Sequence, residues 1–394
     1  MSEHGMDGWL TPRERDLGLR RICNDTGICI SVLPNGSIFA IERRGGRDAI
    51  LVNQVLASPI HGGIGRILLR TGGMNPVNIE AAGPHANVQL GVAEGRLVWE
   101  GATSGIRHRV TLRLLSDRPA WLWRVEATNI GAAVVPIDAV FIQDLGLGAR
   151  AFVTNNEVYA SQYIDHHIAR SARYGPVVMS RQNLAQNGRH PWIMHGCLDG
   201  ASAFATDAMQ LFGPRHRDAD GVALAFGKRL ADRRLQHEMS CAAIQSFAAT
   251  LEPKATAVWR FFAFYEPDHP AASDDGDLTR LDAVVWPERD DVALSTEPTR
   301  RSVVQNACSL ESDRLSADEL ARRYPDRFLE EFNDGRPLSF FTSDPPHSRH
   351  VVLLDKERIV TRRHGAILRS GSAMLPDEST MCATCWMHGV FAAQ

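Results

Sequence analysis

Between Ile22 and Tyr265 the chain is written as short apolar runs, each closed by Gly, Pro, Asn, Asp or Ser. Runs of this kind are too short for ordinary helices, and several alternate with a period of two, which places every second side chain on one face of a strand. In Arg109–Leu115, Val110, Leu112 and Leu114 fall on one side and Arg109, Thr111 and Arg113 on the other. Trp121–Ala127 turns Trp121, Trp123 and Val125 inward and Arg124 and Glu126 outward, and Val258–Tyr265 repeats the pattern. A sheet solvated on one side produces such alternation. Ile28–Leu33 and Ser37–Ile41 flank Pro34-Asn35-Gly36, and Asn-Gly between apolar runs is a strong hairpin signal because both residues tolerate positive φ. Many strands with hardly a convincing helix predict a mainly β chain: a large antiparallel β-sandwich, not an α/β fold.

After Pro267-Asp-His-Pro270 the composition turns to Ser, Asp and charged residues, and the periodicity becomes helical. Asp274–Val285 predicts one helix before Pro287. Ser316-Ala-Asp-Glu319 reads as a capping box opening a second, in which Leu320, Phe328 and Phe332 recur at helical spacing and Pro325 bends or splits the helix. The expected organisation is a flexible amino terminus over 1–21, the sandwich over 22–270, a short helical linker over 271–336, and an irregular carboxy-terminal segment over 337–394.

Size and charge narrow the classes of partner. The chain has 394 residues, 44% hydrophobic and 23% charged, enough to bury a sizeable core. Its 43 basic and 46 acidic side chains leave a net charge of −3, so no global field favours nucleic acid or an anionic membrane. No stretch approaches the roughly 20 apolar residues of a membrane span, and Met1–Arg21 has no apolar signal core. A cytoplasmic location is the expectation. Seven scattered cysteines then predict reduced, buried thiols, and Cys382-Ala-Thr-Cys385 lacks the further ligands of a zinc site.

The residues that a sandwich does not need cluster between Asn155 and Phe212: Tyr159-Ala-Ser-Gln162-Tyr163-Ile-Asp165-His166-His167, Ser180-Arg181-Gln-Asn183, and Arg189-His-Pro-Trp192-Ile-Met-His195. A pyranose offers apolar C–H faces and a rim of hydroxyls, so aromatic faces beside amides and guanidinium groups suit it. Tyr159, Tyr163 and Trp192 are candidates to stack on sugar rings, and Gln162, Arg181, Asn183 and Arg189 to read hydroxyls. The competing reading makes the aromatics core and the polar groups caps of turns. Gly62-Gly63-Ile-Gly65-Arg66 lacks the Lys-Ser/Thr of a phosphate loop and a βαβ setting, so its glycines are expected to let backbone pass close to a neighbour.

The Tyr159–His195 blocks, Asn53-Gln-Val-Leu-Ala-Ser-Pro-Ile-His-Gly62-Gly63-Ile-Gly65-Arg66, and Arg363-His-Gly-Ala-Ile-Leu occur in one order. Together they resemble the amino-terminal region of 1,2-β-oligoglucan phosphorylases of glycoside hydrolase family 94, which also holds cellobiose phosphorylase and the phosphorylase-like part of cyclic β-1,2-glucan synthases. The resemblance runs from about Ile22 to the last residue. It implies a sandwich similar to galactose mutarotase, a β-1,2-glucooligosaccharide ligand, and no cofactor besides inorganic phosphate as co-substrate of the complete enzyme. An inverting phosphorylase needs a carboxylic acid on the glycosidic oxygen while phosphate attacks the anomeric carbon from the opposite face. The resemblance puts both on an (α/α)6 barrel that 337–394 would lead into and that this chain lacks, so no catalytic residue is assigned.

Three readings of the whole chain stand open: an amino-terminal domain or split subunit of a phosphorylase, a stand-alone carbohydrate-binding sandwich, and a mutarotase-like sugar enzyme. The last would draw on His166, His167 or His195 with Glu157 or Asp165, since ring opening needs an acid and a base within reach of the sugar. Adjacent strand residues point to opposite faces, so His166 and His167 are not expected to share a ligand, and no metal pair is offered. The first reading implies a barrel-bearing partner chain or a homo-oligomer, docked through Arg363, His364, Met374 and Trp386–Phe391.

Overall fold

A computed structural model describes residues 17–44, 49–57, 63–72, 77–93, 95–212, 229–236, 239–288 and 295–299, and beyond them 318, 321–322, 324–333, 336–342 and 349–352. The chain divides into two compact units, Met1–Ser302 and Val303–Gln394. In the first, a nine-stranded sheet runs in the spatial order Ile164–Ser171, Gly175–Gln182, Trp192–Cys197, Thr256–Glu266, Ala120–Asn129, Ile106–Leu114, Arg96–Thr103, Gln89–Ala93 and Thr296–Pro298. A six-stranded sheet orders Ala201–Asp207, Ser240–Ser246, Val135–Asp144, Arg66–Thr71 and Asn78–Ala82, with Ala249–Leu251 also paired to Val135–Asp144. A five-stranded sheet orders Arg20–Cys23, Ile28–Val32, Ile38–Arg43, Ile50–Leu51 and Gly148–Ala149. These ladders are antiparallel, as the alternation predicts.

The main core lies between the two larger sheets. Trp121, Trp123, Val125, Val110, Leu112 and Leu114 all point into it, on the side the sequence assigned. Trp99 and Trp123 stack at 5.4 Å, and Phe141 of the six-stranded sheet meets Trp123 at 6.3 Å and Phe261 at 5.8 Å, so aromatic packing crosses from one layer to the other. Trp99 also donates its indole N–H to the Gly36 carbonyl at 3.1 Å, fixing the predicted Asn35-Gly36 turn, where only Gly36 takes a positive φ.

The outer face of the nine-stranded sheet corrects the expectation of a solvated side. Leu115, Leu122, Val177, Met179, Trp192, Phe262 and Phe264 form a second core there, roofed by Leu281 and Val284. The roof comes from the predicted Asp274–Val285 helix, which is a 3₁₀-helix over Asp275–Ala283 with a capping box between Asp274 and Asp277. The sequence had no convincing helix before it, yet Arg150–Ser161 is α-helical and Ala208–Phe212 forms a short helix. Thr154, Asn155, Asn156 and Val158 are poor helix formers, and the first helix is kinked at Asn156, so propensity hid it. Its Val153 and Ala160 pack on Leu33, Phe39 and Leu51 of the five-stranded sheet, and that burial decides the matter.

Two further expectations change. Leu17–Arg21, assigned to a flexible terminus, is ordered: Leu17 and Leu19 pack on the core and Arg20–Cys23 pairs with Ile28–Val32. Phe328 and Phe332, assigned to a helix, lie in a strand, Arg327–Asn333, of a three-stranded antiparallel sheet completed by Arg336–Thr342 and Arg349–Val352. Asp318, Ala321 and Arg322 are helical before Pro325. The carboxy-terminal Arg363, His364, Met374, Trp386–Phe391 and the pair Cys382 and Cys385 lie outside the described residues.

The prediction of reduced thiols fails at Cys23 and Cys29, which form a disulfide. They face each other directly in the register of the Arg20–Cys23 and Ile28–Val32 hairpin, so a spacing of six brings the Cα atoms to 4.2 Å. Cys197 and Cys241 are buried free thiols as expected, and burial raises both well above the ordinary thiol range, Cys197 to about 12.

Residues 52–55 form a buried, irregular stretch. Val52 bonds through its backbone to Ile41, Gly146 and Leu147, and beyond it side chains satisfy the buried N–H groups. Asp144 Oδ2 accepts the N–H groups of Gln54 at 2.8 Å and Val55 at 2.6 Å. Asn53 accepts from Ile41 N–H at 2.8 Å and donates to the Val55 and Phe39 carbonyls. A Cβ on Gly63 would meet the Ile38 carbonyl at 2.8 Å, which is the close approach that the glycine run implied. Asp144→Ala is expected to cost about 3 kcal/mol, because two buried N–H groups lose a charged acceptor; equal urea midpoints for the variant and the parent would contradict this account. Trp99→Ala is expected to cost about 3–5 kcal/mol in the same unfolding series.

Candidate functional site

The helix Arg150–Ser161 ends at Gln162, whose N–H bonds to the Tyr159 carbonyl, and the chain then turns into the edge strand Ile164–Ser171. This turn brings Tyr159 and Tyr163 together: their hydroxyls are hydrogen-bonded and their rings meet edge-on at 5.1 Å. Tyr159 is 50% exposed, an unusual position for a large aromatic, and Gln162 beside it is exposed as well. The hydrogen bond to Tyr159 raises the Tyr163 phenol above its ordinary value. Asn183, also exposed, donates its backbone N–H to the Tyr163 carbonyl at 2.8 Å.

The loop after Gln182 is tied down from both sides. Gln186 accepts the Ala149 N–H at 2.8 Å and donates to the Leu184 carbonyl at 3.0 Å. Gln186 and Arg189 exchange backbone hydrogen bonds across Asn187-Gly188, both at positive φ, so a tight two-residue turn carries Arg189 out into solvent at its end. Tyr159, Gln162, Tyr163 and Asn183 therefore share one exposed surface at the helix terminus, with Arg189 on the neighbouring turn.

Trp192 and Arg181 do not join that surface. Trp192 is fully buried on the outer face of the large sheet, stacked on His269 at 5.0 Å and 14°, with its N–H donated to Ser273 Oγ at 2.8 Å and the Arg280 guanidinium 5.7 Å above the ring. Arg181 donates to the His269 carbonyl at 2.6 Å, to the Pro270 carbonyl at 3.0 Å and to Asn183 Oδ1. Both side chains clamp the segment that leaves the last long strand, and for them the core-and-cap reading holds.

The histidines separate as strand geometry predicted. His166 points inward, with Nδ1 2.9 Å from Ser180 Oγ and Nε2 3.0 Å from Ser240 Oγ; His167 points outward to Asp275 at 2.8 Å. His195 is fully buried and stacked on Phe141 at 5.5 Å. Burial, with Arg234 second, pushes His166 down to about 3, and burial, with His166 second, does the same to His195. Asp165 is held by the Gln236 amide. The Glu157 side chain lies outside the described residues. Among the described residues the buried histidines thus stay neutral and out of reach of a sugar, and no cluster of His, Cys, Asp or Glu could hold a metal. No described helix is long and apolar enough to cross a membrane.

An antiparallel sandwich with an aromatic and amide surface at one helix end is the frame on which the chain can be compared with known proteins. Residues 31–263, more than half of the chain, match the SOGP N-terminal domain, and residues 324–394 match the glycoside phosphorylase supersandwich domain. These define a phosphorylase-related sandwich protein. The chain belongs to the SOGP N-terminal domain family. It is 28% identical over 349 residues to a 1,2-beta-oligoglucan phosphorylase of Listeria innocua serovar 6a, covering 88% of this chain and 30% of that relative. The chain thus spans about a third of the length of the curated relative it matches. Among solved structures it is similar to a polysaccharide lyase (12% identity, 67% of this chain, 34% of the other, TM-score 0.39). It is also similar to a GalM/aldose epimerase homologue from C. elegans (10% identity, 64% and 99%, TM-score 0.36). The match over 324–394 is to a sandwich domain, in keeping with the strands between Arg327 and Val352.

The buried histidines set a pH dependence. Their folded pKa values lie below the unfolded value of about 6.5, so the unfolded chain takes up protons first as pH falls, and the stability present above that value is lost progressively toward pH 3. His108, held at about 4 chiefly by burial, adds to it. Each is expected to remove about 1.4 kcal/mol per pH unit below its unfolded pKa. Urea midpoints between pH 7 and pH 5 should fall accordingly, and His195→Phe should flatten the slope by about a third; an unchanged slope would refute the assignment.

Proposed function

We propose that the chain is a carbohydrate-binding, amino-terminal part of a glycoside phosphorylase that acts on β-1,2-glucooligosaccharides, and that Tyr159, Tyr163, Gln162 and Asn183 hold the glycan. The observation that carries the reading is the tyrosine pair, Tyr159 exposed and Tyr163 half-buried, flanked by two exposed side-chain amides, in a chain whose sequence is similar to a 1,2-beta-oligoglucan phosphorylase. An exposed ring gives a sugar's C–H face an apolar partner, and the amides offer both donors and acceptors to its hydroxyls.

Phosphorolysis in this reading uses inorganic phosphate as co-substrate, and the acid and the phosphate clamp lie on a catalytic barrel of the glycoside hydrolase family 94 type, supplied beyond these residues or by a partner chain. The domain's share is to bind and orient. A cytoplasmic location belongs to the same reading. The Cys23–Cys29 disulfide counts against it, since reducing compartments seldom keep such bonds, and trapping thiols in freshly lysed cells before counting them decides the point.

The test is isothermal titration of the chain with sophorose and longer β-1,2-glucans, with cellobiose as control and glucose 1-phosphate assayed in the same samples. Binding without turnover is expected. Tyr159→Ala should weaken binding about threefold to tenfold, the worth of one aromatic contact. Binding that is indifferent to Tyr159 and Tyr163 would move the glycan elsewhere, and turnover would place the catalytic groups within this chain.

A further inference from the structure

On the outer face of the nine-stranded sheet, away from the tyrosine pair, lies a cavity of about 500 Å³. Arg96, Arg113, Asp25, Ser116 and Asp117 line it together with Val285 and Pro287. Arg96 and Arg113 stand directly opposite each other in the antiparallel register of Arg96–Thr103 and Ile106–Leu114. Like charges in that position repel and destabilise the ladder. The same ladder shows the ordinary solution four residues along, where Glu100 faces Arg109 in register and pairs with it at 2.9 Å.

Nothing comparable neutralises Arg113. Its neighbour on the other side is Leu122, and among the described residues no ion pair holds it. Asp117 lies 4.0 Å from Arg118 instead. Asn24, which also lines the cavity, is committed to structure, donating to the carbonyls of Leu115 and Arg118. Arg113, with Arg96 directly across the ladder, turns a guanidinium toward the cavity, and a guanidinium is a standard receptor for a phosphate, which accepts its parallel N–H groups. A bare phosphate would leave most of the volume empty and face the carboxylates of Asp25 and Asp117. A ligand with a hydroxylated body between its phosphate and those carboxylates avoids the repulsion, because hydroxyls donate to carboxylates. Val285, 89% exposed, offers such a body an apolar contact at the mouth.

We propose that this cavity binds a small phosphorylated polyol or sugar, its phosphate on Arg113 beside Arg96 and its hydroxyls against Asp25, Ser116 and Asp117. The site is independent of the glycan surface at Tyr159. Isothermal titration of the full chain with glucose 6-phosphate tests it, with glucose and inorganic phosphate as separate titrants. Glucose 6-phosphate should bind more tightly than inorganic phosphate. Arg113→Gln should weaken it by about tenfold or more, the worth of a charge-assisted hydrogen bond, and Asp117→Asn should weaken it without weakening inorganic phosphate. Both side chains lie at the cavity surface, so melting temperatures of the variants should match the parent. Absence of saturable binding, or binding that Arg113→Gln leaves unchanged in a folded variant, overturns the site. Equal affinity for inorganic phosphate and glucose 6-phosphate overturns the polyol assignment.

Discussion

The structure depends on how one buried, irregular stretch of backbone, residues 52–55, finds its hydrogen bonds. It runs where the five-stranded sheet, the six-stranded sheet and the first helix converge, and past Val52, whose N–H still bonds to the Ile41 carbonyl, side chains take over the pairing. Asp144 answers from the end of the long strand Val135–Asp144 with a carboxylate oxygen shared by two N–H groups. Asn53 answers from within, and Ser161 at the end of the helix donates to Gln54 Oε1. An unpaired buried backbone group costs about as much as a lost hydrogen bond, so these polar side chains are as structural as the tryptophans. They join the layers where apolar packing alone would leave them free to slide.

That role changes the meaning of the motif beginning at Asn53. Read as a string of residues, Asn53-Gln54 beside a glycine run invites a ligand. In three dimensions Asn53 and Gln54 are buried and engaged, and Gly63 is there because the Ile38 carbonyl leaves no room for a side chain. The motif builds the junction. The exposed residues at the far end of the helix, Tyr159 and Gln162, adjoin Ser161, which the junction holds in place.

The sheets were legible because alternation is a local signal: Val110, Leu112 and Leu114, or Trp121 and Trp123, declare their face without help from the rest of the chain. The helix Arg150–Ser161 was not, since Thr154, Asn155 and Asn156 argue against it and only burial against Leu33, Phe39 and Leu51 overrides them. The candidate site split for a similar reason. Tyr159, Gln162, Tyr163 and Asn183 stayed on the surface, while Trp192 and Arg181 were claimed by a segment, His269–Ser273, that follows them by some eighty residues. No window along the sequence shows that two sheet faces will be roofed. Phe328 and Phe332 failed in the opposite direction, since a spacing of four suits either a helix face or alternate positions of a strand.

The neutral histidines between the sheets have a consequence for what a sandwich of this kind can contribute. A protein that is to open or cleave a sugar must exchange protons with it at the pH of the cell, and the two imidazoles buried here have been removed from that traffic by the packing that stabilises them. Their value is as shaped, uncharged wedges between two sheets. In this sandwich the two imidazoles serve as template and not as reagent, and a proton exchanged at its surface comes from groups that can still change their charge.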